Sequence, residues 1–144
     1  MKEKKPESWD RYKAAVKQSD VENYAEEIVK AGCDRSVMEI DDRWQSAYGD
    51  LEFDTKKFPN PKEMVDKLHS MGFRVTLWVM PFAVEDSDAY RYGAEKGYFI
   101  KGKRSTGTKS GFFNWWNPQS AVALDVTNME AVDWFVDRLK KLQV

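Results

Sequence analysis

Hydrophobic and polar positions change their period several times along this chain, and each change marks an element. Val21, Tyr24, Ala25, Ile28 and Val29 recur at helical spacing and predict an amphipathic helix. Ser19 with Glu22 three residues on reads as its capping box, and Gly32 as its stop. A short strand, Arg35–Ile40, follows almost at once. Met64, Val65 and Leu68 give the buried stripe of a second helix, opened by Asn60 and Pro61 and stopped by Gly72. Phe73–Met80, FRVTLWVM, is a nearly continuous apolar run, as in a parallel strand buried on both faces, and Pro81 ends it. Ser87–Lys96 predicts a short helix. Thr127 with Glu130 reads as the capping box of a last helix, whose stripe is Val132, Phe135, Val136, Leu139 and Leu142.

Strands alternating with helices imply βαβ units and a parallel sheet. Both strands run into long polar and aromatic loops, whereas the helix-to-strand joins are tight, which is the asymmetry of a (β/α) barrel face. The expected fold is therefore a partial (β/α)8 (TIM) barrel with parallel strands, about the first three βα units. Weaker strands are expected near Trp9 and at Ala121–Val126, and a further strand is expected after Val144. Residues 1–8, MKEKKPES, read as an extended or disordered tail, and residues 9–144 as a single partial-barrel domain.

Composition narrows the function classes. Of 144 residues, 42% are hydrophobic and 14% aromatic, so the chain can bury a core and is not a disordered polymer. A formal net charge of −1 supplies no global field for nucleic acid or an anionic membrane, and neither is expected as a partner. The basic clusters Met1–Lys5 and Lys101–Lys109 are short and read as solvated segments. No apolar run approaches the roughly 18 residues of a membrane span, so the chain reads as soluble as given, with its compartment open. Cys33 is the only cysteine, which excludes an internal disulfide. His69, the only histidine, lies on a predicted helix away from any strand end, which argues against a Ser-His-Asp machine and against a multi-His metal site. The loop GKRSTGTKSG within Gly97–Gly111 lacks the Gly-Lys-Ser/Thr end that opens a helix after a strand, so no nucleotide is expected. Neither cofactor nor metal enters the expectation.

The candidate chemistry gathers at Ser36–Phe53, SVMEIDDRWQSAYGDLEF, which presents Glu39, Asp41, Asp42, Trp44 and Tyr48. Strand alternation puts Val37, Glu39 and Asp41 on one side and Met38, Ile40 and Asp42 on the other. Two carboxylates on one face at the C-terminal end of a strand occupy the position where α/β proteins bind ligands. The plainer alternative is a strand running into a solvated acidic loop. Trp78 and Met80 share a face of the second strand and are candidates for the same cavity, with core filling as the alternative for Trp78. Trp115 and Trp116 adjoin in a loop closed by Asn117-Pro118, and two neighbouring indoles are hard to bury together.

Taken in order, these motifs resemble glycoside hydrolase family 31, the α-glucosidases and α-galactosidases, and within it the branch that includes the myogenesis-regulating glycosidase of animals. Glu39-Ile40-Asp41-Asp42 resembles its Asp-Ile-Asp motif, and FDTKKFP at Phe53–Pro59 its FDxxxFP stretch. Leu68 to Gly72, the strand Val75–Phe82, Trp115-Trp116 and Asp125–Asn128 follow at compatible spacings. The resemblance implies a retaining α-glycosidase barrel acting on an α-linked glycoside or monosaccharide. It implies substrate-binding roles for Glu39, Asp41, Asp42, Trp78, Trp115 and Trp116, with Glu39 accepting from sugar hydroxyls and Trp116 stacking on a sugar face. Met80 departs from the pattern, standing where many members carry Asp before Pro. The family's nucleophile lies on the strand after the last helix seen here and its acid/base further on, so no catalytic residue is assigned and the isolated chain is expected to be catalytically silent. The alternative is a non-catalytic part-barrel, a sugar-binding or assembly module that forms a dimer or other homo-oligomer through its open sheet edge.

Overall fold

The computed structural model describes residues 11–102, 110–115 and 119–142. The expected tail at 1–8, the weak strand near Trp9, most of the Gly- and Lys-rich loop, and Trp116 lie outside them. The chain forms two compact units, one built from residues through Ser46 with Phe53–Trp78, the other from Ala47–Glu52 with Val79 onward.

The first unit runs from a 3₁₀ turn at Lys13–Ala15 into α1 (Gln18–Lys30), β1 (Val37–Ile40), α2 (Pro61–Ser70) and β2 (Arg74–Leu77). β1 and β2 pair in parallel, Met38 against Val75 and Ile40 against Leu77, with α2 as the crossover. The predicted stripes supply the core: Val21 and Ala25 of α1, Met64, Val65 and Leu68 of α2, and Met38 and Ile40 of β1 are all buried. Both helices end where glycine takes positive φ, at Gly32 (+69°) and Gly72 (+92°). α1 opens two residues before the expected start, because the Asp20 carboxylate accepts from the Lys17 backbone N–H at 3.2 Å. Glu22 is unavailable as a cap because it pairs with Lys67 of α2 at 2.9 Å. β2 is shorter than the apolar run, although the Trp78 N–H still donates to the Ile40 carbonyl at 3.0 Å.

The second unit comprises β3 (Phe82–Val84), α3 (Asp88–Lys96), β4 (Phe112–Trp115), β5 (Gln119–Ala123) and α4 (Met129–Lys140). Its strands form an antiparallel sheet in the order β3–β5–β4. β5 overlaps the weak strand expected at Ala121–Val126, whereas the hydrophobic pattern predicted neither β3 nor β4. Ala83, Val122 and Leu124 of the sheet region pack with Tyr98, Phe99, Ala89 of α3 and Ala131 of α4 in one core. Ser87 caps α3 by accepting from the Tyr90 N–H at 3.0 Å. At α4 the cap is Asn128, accepting from the Glu130 N–H at 3.1 Å. Thr127, the expected cap, instead donates its hydroxyl to Asp125 at 2.6 Å.

The segment Ala47–Glu52 is fastened at two points, one to this sheet and one to α3. The Val84 N–H donates to the Tyr48 carbonyl at 3.0 Å, and the Ala89 N–H donates to the Asp50 carboxylate at 2.9 Å. Gly49 has φ +102°, and a Cβ there would lie 2.6 Å from the Phe82 carbonyl oxygen and 2.7 Å from the Ala83 Cα. Both obstacles are backbone and cannot swing aside. Gly49→Ala should therefore cost about 3 kcal/mol or abolish folding, read as a lowered denaturation midpoint.

Burial pushes the Asp50 carboxyl above its ordinary value; the Ala89 N–H opposes this, Asp88 adds to it, Arg138 opposes and Glu52 adds. A raised folded-state pKa makes the stabilising contribution complete below the unfolded value and lost as pH rises through the folded one. Asp50→Asn keeps an acceptor for Ala89 and removes the charge. It should hold or raise the melting temperature at pH 7 and flatten its pH dependence between pH 3 and 7, whereas Asp50→Ala should lose about 1 kcal/mol with the cap. Thermal scans across that pH range check both.

Candidate functional site: the C-terminal end of the first parallel strand

Alternation along β1 divides its side chains cleanly. Met38 and Ile40 are fully buried, while Val37 and Glu39 are half-buried on the other face. The division continues past the strand, where Asp41 is half-buried and Asp42 is 3% exposed. Glu39 and Asp41 thus share the open side, as the sequence pattern requires, and Asp42 goes with the buried side. The Asp41 carboxylate turns back on its own chain, accepting from the Asp42 N–H at 2.6 Å. On β2 the same face carries Arg74 beside Val37 and Thr76 beside Glu39. Neither was a sequence candidate, although the alternation of RVTL was enough signal to place them.

Trp78 is half-buried immediately after β2, where its N–H donates to the Ile40 carbonyl at the end of β1. Its carbonyl accepts from the Trp44 indole N–H at 2.6 Å. Trp44 itself is fully buried, with its ring 4.9 Å from Phe53, which lies 5.3 Å from Phe58. Of the aromatics expected on display in this stretch, Trp44 is a core residue, and Tyr48 is 3% exposed in the other unit.

The FDTKKFP stretch folds for a local reason. The Asp54 carbonyl accepts from the N–H groups of Lys57 (3.0 Å) and Phe58 (2.7 Å), and its carboxylate accepts from the Lys56 N–H at 2.9 Å. That turn returns Phe58 to Trp44 and sends Lys57 inward. The Lys57 ammonium donates to the carbonyls of Ala14 and Arg43, and burial pulls its pKa down while Asp54 opposes. Arg43, directly after the two aspartates, holds φ at +66°, a conformation that non-glycine residues rarely adopt. The backbone that follows Asp41 and Asp42 is therefore held by several contacts at once.

In the second unit Trp115 ends β4 opposite Gln119 of β5. Its ring lies 5.3 Å from Phe82, which lies 5.1 Å from Phe113, so one sheet face carries an aromatic trio. Its indole nitrogen and the Gln119 side-chain oxygen are buried without hydrogen-bond partners among the described residues. Met80, expected beside Trp78, is 5% exposed and belongs to this unit. Among the described residues, no three His, Cys, Asp or Glu converge as a metal cradle, and no helix is long and apolar enough to cross a membrane.

Comparison with known proteins places this arrangement. The family model of the glycosyl hydrolases family 31 TIM-barrel domain matches residues 7–144. The chain is 39% identical over 137 residues to the myogenesis-regulating glycosidase of Mus musculus, covering 95% of this chain and 19% of that protein. It is 30% identical over 110 residues to an α-xylosidase of Lactiplantibacillus pentosus, covering 74% of this chain and 14% of the relative. The chain thus spans less than a fifth of the length of these curated relatives. A solved family 31 dextranase of Flavobacterium johnsoniae, complexed with glucose, superposes with a TM-score of 0.81 at 22% identity, over 88% of this chain and 15% of the dextranase. Its likeness is one of fold, and it identifies β1, α2 and β2 as part of an α/β barrel. The chain belongs to glycosyl hydrolase family 31 and forms part of its TIM-barrel domain.

Proposed function

We propose that this chain supplies the sugar-holding wall of a retaining α-glycosidase and is catalytically silent by itself. The observation that carries the reading is the shared open face of Glu39 and Asp41 at the C-terminal end of a parallel strand. Ligands of barrel enzymes bind at that end. Carboxylates there accept hydrogen bonds from sugar hydroxyls, and Trp78 beside them offers apolar surface to the C–H face of a ring. Asp42, on the buried side, holds the turn that aims Asp41, while Trp115 and Trp116 keep the sugar-stacking role that the resemblance implies. The ligand is an α-linked glycoside or the monosaccharide it releases, the class to which the names of the relatives point.

Silence follows from the geometry of the same pair. Retaining hydrolysis needs two carboxyl groups about 5–5.5 Å apart on opposite sides of the scissile bond. Residues two apart on a strand are about 6.5–7 Å apart and approach from one side. Such a pair can hold a ring but cannot both attack the anomeric carbon and protonate the leaving oxygen.

Titration with methyl α-galactoside or methyl α-glucoside should raise the melting temperature by several degrees near saturation. Glu39→Gln should weaken that binding by about 10- to 100-fold, the value of one charge-assisted hydrogen bond. An unchanged midpoint with both sugars would defeat the reading of the site. Turnover of aryl α-glycosides that disappears with Glu39→Gln or Asp41→Asn would defeat the reading of silence.

A second reading rests on the sheet. Among the described residues β1 and β2 pair only with each other, leaving ladder groups at both outer edges. Self-association through such an edge would make the chain an assembly module. Light scattering coupled to size exclusion should then give a dimer whose dissociation constant no sugar changes, and a monomer at micromolar concentration would exclude it.

A further inference from the structure

Among the described residues three non-glycine positions hold positive φ: Lys13 (+53°), Arg43 (+66°) and Leu51 (+52°). One side chain reaches the turns of the first two. The Lys57 ammonium donates at 3.3 Å to the carbonyl of Ala14, directly after Lys13, and also to the carbonyl of Arg43 itself. The Lys57 backbone is fixed as well. Its N–H donates to the Asp54 carbonyl at 3.0 Å, and its carbonyl accepts from the Gln18 N–H at 2.9 Å. Lys57 therefore joins the lead-in to α1, the exit from β1 and the FDTKKFP turn at one point.

Two features separate this lysine from an ordinary surface cation. It is half-buried, and burial pulls its pKa down, while Asp54 opposes, the Arg43 guanidinium adds and Asp42 opposes. A partly desolvated ammonium near a second cation is tolerated where its donors are used, and here they go to backbone carbonyls. The second feature is the exposure of Arg43, whose own side chain is not packed in the core and so does not hold its backbone left-handed. A charge-assisted hydrogen bond is comparable in strength to the cost of one left-handed residue. The competing explanation is Trp44, the next residue, whose burial could fix the turn without Lys57.

We propose that Lys57 is a positioning residue: through the Arg43 carbonyl it holds the left-handed turn that sets how the chain leaves Asp41 and Asp42. A return of Arg43 to ordinary negative φ would redirect the backbone within two residues of both carboxylates. The consequence for ligand binding at Asp41 rests on the sugar-holding wall proposed above. The hold on Arg43 does not.

The test is NMR of the isotopically labelled chain, reading the strong intraresidue HN–Hα cross-peak that positive φ gives Arg43. Lys57→Met keeps most of the apolar stem and removes the donors, and it should lose that cross-peak and shift the Asp41 and Asp42 amides. Adding Arg43→Gly, which takes positive φ without penalty, should return those amides to their positions in the Arg43→Gly variant alone. Arg43→Ala removes the same side chain but keeps the penalty, and should not restore them. Binding of methyl α-glucoside or methyl α-galactoside should weaken about 10-fold in Lys57→Met and recover in Lys57→Met/Arg43→Gly. If neither glycoside binds the unaltered chain, the sugar-holding wall falls, and the cross-peak still decides the role of Lys57. A cross-peak that survives Lys57→Met, amides restored by both or by neither change at Arg43, or a glycoside affinity that Lys57→Met leaves unchanged would each overturn the proposal. Should Lys57→Met not fold, recovery of the folded spectrum by Arg43→Gly but not by Arg43→Ala supports it, and any other result overturns it.

Discussion

The hydrogen bond from the Trp44 indole to the Trp78 carbonyl is the constraint on which the first unit turns. It joins the backbone just beyond β1 to the backbone just beyond β2 through a fully buried ring. An indole N–H in an apolar core costs on the order of 1–3 kcal/mol if left without a partner, so the ring and the carbonyl fix each other. The ring's other contacts recruit the rest of the loop. Phe53 and Phe58 pack against it, and the Asp54 N–H donates to the Trp44 carbonyl at 3.0 Å. Removing a buried Trp typically costs about 3–5 kcal/mol, a large share of a small domain's stability. The two strand ends, and with them Glu39, Asp41 and Trp78, owe their register to this one side chain.

This dependence explains why the loop was the least legible part of the sequence. Between Arg43 and Asn60 polar residues and aromatics alternate without a helical or strand period, and such a pattern suggests display. Trp44 was read that way and proved to be core, because the chain folds back at Asp54 and brings two phenylalanines to it. Elements whose signals are local were legible: the stripes of α1 and α2, the glycines that end them, Pro61 at the start of α2 and the short helix α3. Caps moved where a competitor lay close by. Glu22 answers Lys67 across the helix pair, and Thr127 answers Asp125, so neither completes its box. β3 and β4 escaped notice because each is short and acquires its strand identity only by pairing with β5. Candidate residues fared similarly. The alternation that separates Glu39 and Asp41 from Asp42 was visible, but the partners of Trp115 depend on a sheet that was not.

The second unit is held by a different device. Lys96, Tyr92, Trp134 and Arg138 stack as cation, ring, ring and cation across α3 and α4. Each such contact is worth about 0.5–2 kcal/mol, and partial burial raises its value. This ladder takes the side of α4 that carries Trp134 and Arg138, and of the helix only Ala131 is fully buried. The stripe of Val132, Phe135, Val136, Leu139 and Leu142 was expected to be the buried face. In the structure Phe135 of that stripe packs against the core, whereas Val136 is 38% exposed. Helical periodicity identified an apolar face that the core engages in part, but not the neighbouring residues Ala131 and Trp134 that share that contact.

Holding a sugar and cutting it make different demands on the same residue types. Binding asks carboxylates to accept hydroxyl donors from one side of a ring, where strand alternation readily places them. Cleavage asks them to oppose one another across the scissile bond, which needs side chains from separate strand ends in a barrel. β1 delivers its pair by the first route: Glu39 from the strand itself, Asp41 from a turn held by Trp44, Lys57 and the strained Arg43. On the proposed reading such rigidity would favour recognition, because a carboxylate already oriented loses little freedom when a ligand arrives. On the same reading it would also limit the pair, since no small motion of one strand carries its side chains to the far side of a ring held there.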